Sequence, residues 1–313
     1  MSRRHFCLVA ASMCAFGRHA LAQSQSSPTI RTFYPDIGEP YKSIFAKIMD
    51  GIDERLPKPS LRIAISTESN STNFPNLRES RPSMVIALGR AGLKAAMTLE
   101  GPVEIIGGGV ISPSDADSKI TLLQSLAPDP GLLFARLRQL QPNGKRIYVV
   151  YSAVNSGWLM RFADAAARTQ GFELKGLEAS DLRSAMQRYQ ELWIDFNSTD
   201  ALWLPQDPIT SEESTIVPTV LKEAWNRNGI LFSSNLAHVR RGALFALFPN
   251  NIALGQRLGS AALAHLTTPA NAPRGIVPLR ELFASLNTRT ASHLGIEYAP
   301  KLHGNFDLLL PER

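Results

Sequence analysis

The residues of this 313-residue chain best placed to do chemistry are short, polar and set just beyond apolar runs. Tyr34 and Asp36 close the first run, Ser66 and Thr67 the second, Gly89 and Arg90 the third, and Gly108 and Gly109 the fourth. Further along, Ser152, Asn155 and Ser156 follow RIYVVY, Asp207 follows ALWLPQ, and Ser233, Ser234 and Asn235 follow ILF. Hydroxyls, amides and glycine backbone of this kind hydrogen-bond a small polar ligand, and helix N-termini among them add donors for a carboxylate or another anion. The same residue types fill turns in any protein. It is therefore the set, rather than any one member, that points to binding. Asp207 has two readings, a partner for an ammonium group or the cap of the helix that follows.

Catalytic chemistry finds less support. Gly89-Arg90-Ala91-Gly92 after a buried strand resembles half of a phosphate loop, but it lacks the full G-x-G-x-x-G and any Lys-Ser/Thr ending, so no nucleotide site is expected. Gly107-Gly108-Gly109 either lets a ligand approach the backbone or makes a sharp exit turn. His238, His265, His293 and His303 show no metal-ligand spacing, there is no G-x-S-x-G elbow, and no Ser/His/Asp order is recognisable. No catalytic residue, metal or cofactor is expected. Trp193, Trp203 and Trp225 read as core. Trp158 is the aromatic to watch, because it opens a helix beside the Ser152 loop.

These candidates need a scaffold, and the hydropathy pattern supplies one. Strand-like runs at 29–34, 61–66, 83–88 and 103–106 alternate with helical stretches at 41–55 and from 89 to about 99. SMVIAL is almost wholly apolar, as a parallel strand buried on both faces should be. A second series follows: helix 130–140, strand 146–151, helix 156–170, strand 172–174, helix 181–193 capped by Asp181, and strand 201–204. A helix then runs to 226 with Pro218 in its first turn, followed by a strand at 230–232. The pattern predicts an α/β fold of two doubly wound parallel-sheet lobes with a cleft between them. Lobe one covers 23–125, with 118–130 as the first crossing, and lobe two covers 126–242. Residues 243–313 cross back between the lobes. Ligands of such sheets bind beyond the carboxyl ends of the strands, where the candidate residues lie.

The N-terminus reads as an export signal. Arg3-Arg4-His5-Phe6, a short apolar stretch from Cys7 to Phe16 and Ala20-Leu21-Ala22 form its three parts, with cleavage expected after Ala22. The paired arginines fit the twin-arginine pattern. The apolar run is too short to span a bilayer. Both cysteines lie in this segment, which leaves the mature chain without a disulfide or a thiol nucleophile. Removing Arg3, Arg4 and Arg18 takes the 33 basic residues to 30 against 27 acidic ones, so part of the net charge of +6 belongs to the leader. No basic patch interleaved with aromatics argues for nucleic acid, and no second apolar run argues for stable membrane insertion.

Four stretches of the second half carry a resemblance. They are Leu140-Gln141-Pro142-Asn143-Gly144-Lys145-Arg146 running into IYVVY, Ala165-Ala166-Ala167-Arg168 with Gly171, Asp200-Ala201-Leu202-Trp203-Leu204-Pro205 with Asp207, and Phe232-Ser233-Ser234-Asn235 with Arg241-Gly242-Ala243-Leu244-Phe245 and Pro249-Asn250-Asn251. In order and spacing the region resembles the ABC-transporter substrate-binding proteins related to periplasmic tryptophan and tyrosine binders. The tail Leu286-Asn287 with Leu294-Gly295-Ile296 also fits. The first lobe departs from the pattern, with Tyr34-Pro35-Asp36-Ile37-Gly38-Glu39-Pro40 where a His-Pro loop is expected, so aromatic amino acids do not carry over as the ligand. The resemblance implies a type I periplasmic-binding fold and a periplasmic, monomeric solute-binding component. Such a protein would close on a small polar ligand and serve an inner-membrane ABC permease. Two other functions stay open on the sequence, a ligand sensor that signals to a membrane partner and an exported enzyme.

Overall fold

In chain order the elements are β1 (Ile30–Asp36), α1 (Tyr41–Asp53), β2 (Leu61–Ser66), β3 (Met84–Leu88), α2 (Gly89–Met97), β4 (Glu104–Val110), β5 (Leu122–Pro128) and α3 (Pro130–Leu140). They continue with β6 (Arg146–Tyr151), α4 (Ala153–Thr169), β7 (Glu173–Glu178), α5 (Leu182–Asp195), β8 (Asp200–Leu204), α6 (Ile216–Asn226), β9 (Ile230–Ser233), α7 (Leu236–Arg240) and β10 (Phe245–Pro249). The last are α8 (Asn251–Thr267), β11 (Gly275–Leu279), β12 (Leu282–Asn287), α9 (Thr288–His293) and β13 (Leu308–Leu310). They come from a computed structural model that describes residues 29–66, 82–114, 117, 119–296 and 305–312. The export-signal reading and Thr67 lie outside the described residues.

Two sheets result. The first has the order β11-β5-β4-β3-β1-β2 and the second β13-β12-β10-β9-β8-β6-β7. All pairings in the first sheet are parallel, and in the second only β10–β12 is antiparallel. Within each sheet the strand order reverses once, between β1 and β3 and again between β6 and β8. Such switch points open a crevice at the carboxyl ends. β3 and β8 are buried at every position, as central strands covered by helices on both faces must be.

Local chemistry sets the helix starts of the second lobe. Ser152 caps α4 by accepting from Asn155 N–H. Asp129 caps α3, whose first residue is Pro130. Asp181 and Ser184 cap one another across the start of α5.

The sheets are joined at three places. β5 leads into α3, β10 into α8, and β11 into β12. α8 returns to the first lobe and packs on α1, so the chain after Gly242 contributes to both lobes. The crossings lie side by side: Asp129 N–H donates to Leu279 O at 2.8 Å and Asn250 N–H to Glu281 O at 3.0 Å. Arg280 pairs with Asp129 beside them.

Two expectations are corrected. Residues 122–128, expected in a crossing segment, form β5 within the first sheet, which moves the crossing to 128–130. Gln124 is buried there and donates to Pro278 O at 3.0 Å. Gly107-Gly108-Gly109 is not an exit turn but lies inside β4. Its lack of side chains lets neighbours close on the sheet: a Cβ at Gly108 would stand 2.7 Å from Leu258 of α8, and one at Gly109 3.0 Å from Phe45 of α1.

Candidate functional site

At the carboxyl ends of β6 and β8, the second lobe's switch point, a cavity of about 540 Å³ opens between the lobes. This is the size of ordinary small-molecule sites. Ile111 and Ser112, just past β4, form its first-lobe side. The second lobe supplies Asn155, the segment from Pro205 to Pro208, Ser211, Glu212, Glu213, Asn235 and His238. The two sides already touch, since Ser112 Oγ donates to Asn155 O at 2.7 Å.

Asp207 organises the second-lobe wall. It is 2 % exposed. Its Oδ2 accepts from Ser152 N–H at 2.8 Å, Ser152 Oγ at 2.7 Å and Ser156 Oγ at 2.8 Å. Its Oδ1 accepts from Ile209 N–H at 3.0 Å and Thr210 N–H at 3.2 Å. With five neutral donors, the carboxylate joins the start of α4 to the β8 exit. The geometry thus favours an anchor of the wall over a free partner for an ammonium group.

A second cluster stands beside it. Ser233 Oγ lies 2.7 Å from His238 Nδ1, and His238 Nε2 lies 3.0 Å from Glu213 Oε1. Glu213 also accepts from Arg241 Nη1 at 2.7 Å and Asn235 Nδ2 at 3.3 Å. A carboxylate facing Nε2 makes that nitrogen the protonated one, so Nδ1 accepts the Ser233 hydroxyl proton. Burial pushes the imidazole pKa below its ordinary value, against the pull of Glu213. Ser, His and Glu are therefore in line, yet Ser233 is wholly buried and its oxygen also accepts from Asn235 N–H at 3.0 Å. A nucleophile must reach its substrate, and this hydroxyl does not.

Glu212 is fully occupied at the start of α6. The hydroxyl and N–H of Ser214, with the N–H groups of Thr215 and Ile216, hold its carboxyl down to about 2. No group of three or more His, Cys, Asp or Glu among the described residues is arranged to hold a metal.

Of the residues picked out in the sequence, Asn155, Asp207 and Asn235 line this cavity. Ser152 and Ser156 stand behind it, on Asp207. Ser233 and Ser234 are buried, and Ser234 accepts from Trp203 Nε1 at 3.0 Å. In the first lobe, Asp36 and Ser66 are register partners at adjacent exposed strand ends. Tyr34 is not in an exit loop. β1 runs on to Asp36, and Tyr34 packs half-buried against the core formed with α1 and α8. Gly89 is buried, with φ +65°, and a Cβ there would sit 3.1 Å from Phe45. Arg90 pairs with the buried Asp117 at 2.9 Å and bonds Ser112 O, which shapes the loop that carries Ser112. Gly108 and Gly109 serve packing. Trp158 packs on the second-lobe core, edge-on to Phe162 at 6.1 Å.

Sequence reasoning missed Ile111, Ser112, Glu213 and His238. The first two lie two and three residues past Gly109, the last glycine it singled out. Glu213 and His238 are 25 residues apart and meet only through the fold.

No protein-family model and no curated protein matches this sequence. Solved structures do. A ligand-free, open substrate binding protein with adhesive properties from Clostridium difficile superposes with a TM-score of 0.63 at 15% identity, over 90% of this chain and 98% of that one. The ABC domain in complex with L-Trp from Streptococcus pneumonia gives 0.55 at 16% identity, over 90% and 100%. A periplasmic ribose ABC transporter from Conexibacter woesei gives 0.50 at 12% identity, over 87% and 95%. The fold is that of the type I periplasmic-binding proteins. Identities this low carry the fold alone. In open α/β sheets the crevice at the carboxyl ends of the strands is where ligands bind, and this cavity lies at such a place.

Proposed function

We propose that this protein is the solute-binding component of an ABC-type uptake system, holding one small polar molecule between its lobes. The observation that carries the reading is the cavity itself. It sits at the β6/β8 switch point, is walled by both lobes, and is anchored by the Asp207 network. The lobes meet at Ser112 and Asn155 and are joined by three adjacent crossings. Hinge closure about those crossings would bring Ser112 and Ile111 onto a ligand seated on the second-lobe wall. We take the chain to be exported through its N-terminal signal, cleaved after Ala22, and to act as a periplasmic monomer that delivers its ligand to an inner-membrane permease. The absence of a helix long and apolar enough to cross a membrane among the described residues is compatible with that. We also take it to be non-catalytic. The Ser-His-Glu alignment at the cleft buries its hydroxyl.

The test is a thermal-shift screen of the purified protein against amino acids, peptides, nucleosides, organic acids and sugars. A ligand that binds only the folded state, at about 100 times its dissociation constant, adds about 2.7 kcal/mol. A clear rise in Tm with one class supports solute binding. A folded protein that no class stabilises counts against it.

A further inference from the structure

Ser112, which reaches across to the second lobe, is held from behind by a side chain that does not line the cavity. Ile111 and Ser112 follow β4 with no helix or strand of their own to fix them. Arg90, in the first turn of α2, supplies the frame. Its Nη2 donates to Ser112 O, and its Nη1 donates to Asp117 Oδ2 at 2.9 Å and to Ser114 Oγ at 3.4 Å. Asp117 is buried and also accepts from Ser114 N–H at 2.7 Å. Ser125 Oγ donates to Ile111 O from within β5. With both carbonyls gripped, Ser112 Oγ is aimed at the second lobe and donates to Asn155 O, in the first turn of α4, at 2.7 Å. A path of bonds between protein atoms thus runs from Asp117 through Arg90 and Ser112 to Asn155.

The guanidinium fork makes this path specific. One of its nitrogens serves Asp117 and the other Ser112 O. A lysine ammonium is a single compact charge and does not reproduce that fork. Arg90 is absent from the cavity lining, so its route to the cleft is through Ser112.

We propose that Arg90 is a positioning residue that sets how readily the lobes come together, by aiming Ser112 at Asn155. The inference goes beyond solute binding, because the latch needs no ligand. One net hydrogen bond biases a two-state equilibrium about fivefold. That favours the joined lobes and still lets the crossings open.

The test measures the distance between lobes by pulsed electron spin resonance, with no ligand added. Nitroxides go on Lys94→Cys and Arg183→Cys, exposed sites of the first and second lobe, in a Cys7→Ser/Cys14→Ser chain that has no other thiol. Ser112→Ala and Arg90→Lys should each raise the share of a second, unlatched distance at least about threefold. The two together should do no more than either alone, since both break the same contact. Arg90→Lys keeps a cation beside the buried Asp117, so its Tm should stay near that of the parent. Arg90→Gln removes that cation and should lower Tm while loosening the latch to the same extent. A role confined to neutralising Asp117 would leave the Arg90→Lys distances unchanged. That result, no response to Ser112→Ala, or effects that add in the double variant overturns the proposal. Each of these outcomes leaves the solute-binding reading to the thermal-shift screen.

Discussion

At the scale of single residues, the site depends on one buried carboxylate. Asp207 satisfies five donors that have no other acceptor in the loop. Asp207→Ala should therefore destabilise the protein by about 3–5 kcal/mol, read from urea unfolding, and should abolish ligand binding. His238 gives a second prediction with a definite sign. Burial lowers its folded-state pKa below the unfolded value near 6.5, so below that value the unfolded chain binds the extra proton more readily. Its contribution is present above pH 6.5 and is lost as pH falls through the folded pKa. Tm should fall on acidification from pH 7 towards 5, and His238→Gln should flatten that slope. An unchanged slope would mean that other groups set it. Asn155, Asp207 and Asn235 were legible in the sequence because each sits at a strand exit, at a helix cap or in a helix's first turn, where position implies exposure to the cleft. His238 and Glu213 were not, because nothing in their spacing records that α7 and the segment before α6 meet.

At the scale of elements, the first lobe depends on how closely α1 and α8 approach. A Cβ at Gly255 would lie 2.0 Å from Ile48 O, and one at Gly51 would lie 2.1 Å from Ile252 O. The two backbones touch where any side chain would separate them. Gly255→Ala should cost about 3 kcal/mol by denaturant unfolding. A loss near zero would show that the helices can slide apart freely. Uninterrupted apolar runs such as MVIAL and the helix-period stretches between them made the alternating βα order readable. β5 was not readable, because Gln124, Ser125 and Pro128 break LLQSLAP, and only the fold gives Gln124 its carbonyl partner. The Gly107–Gly109 run reads as a turn on propensity. Tertiary packing of Phe45 and Leu258 overrides that preference.

At the scale of the whole molecule, the proposed mechanism makes ligand binding and lobe approach one event. Ser112 stands at that junction. Ser112→Ala removes a hydrogen bond between lobes without opening a buried void. It should leave the unliganded Tm within about 1 kcal/mol of equivalent stability while weakening ligand affinity about fivefold by titration. The two-lobed plan was legible because the βα series appears twice. The way the chain after Gly242 divides between lobes was not, since α8 and β11 carry no local mark of which sheet they join. The most direct test of a solute held between lobes is small-angle X-ray scattering of the protein with and without the best ligand from the thermal-shift screen. The account predicts a radius of gyration that falls with added ligand and saturates at one molecule per chain. A compound that binds at that stoichiometry and leaves the radius unchanged would contradict it.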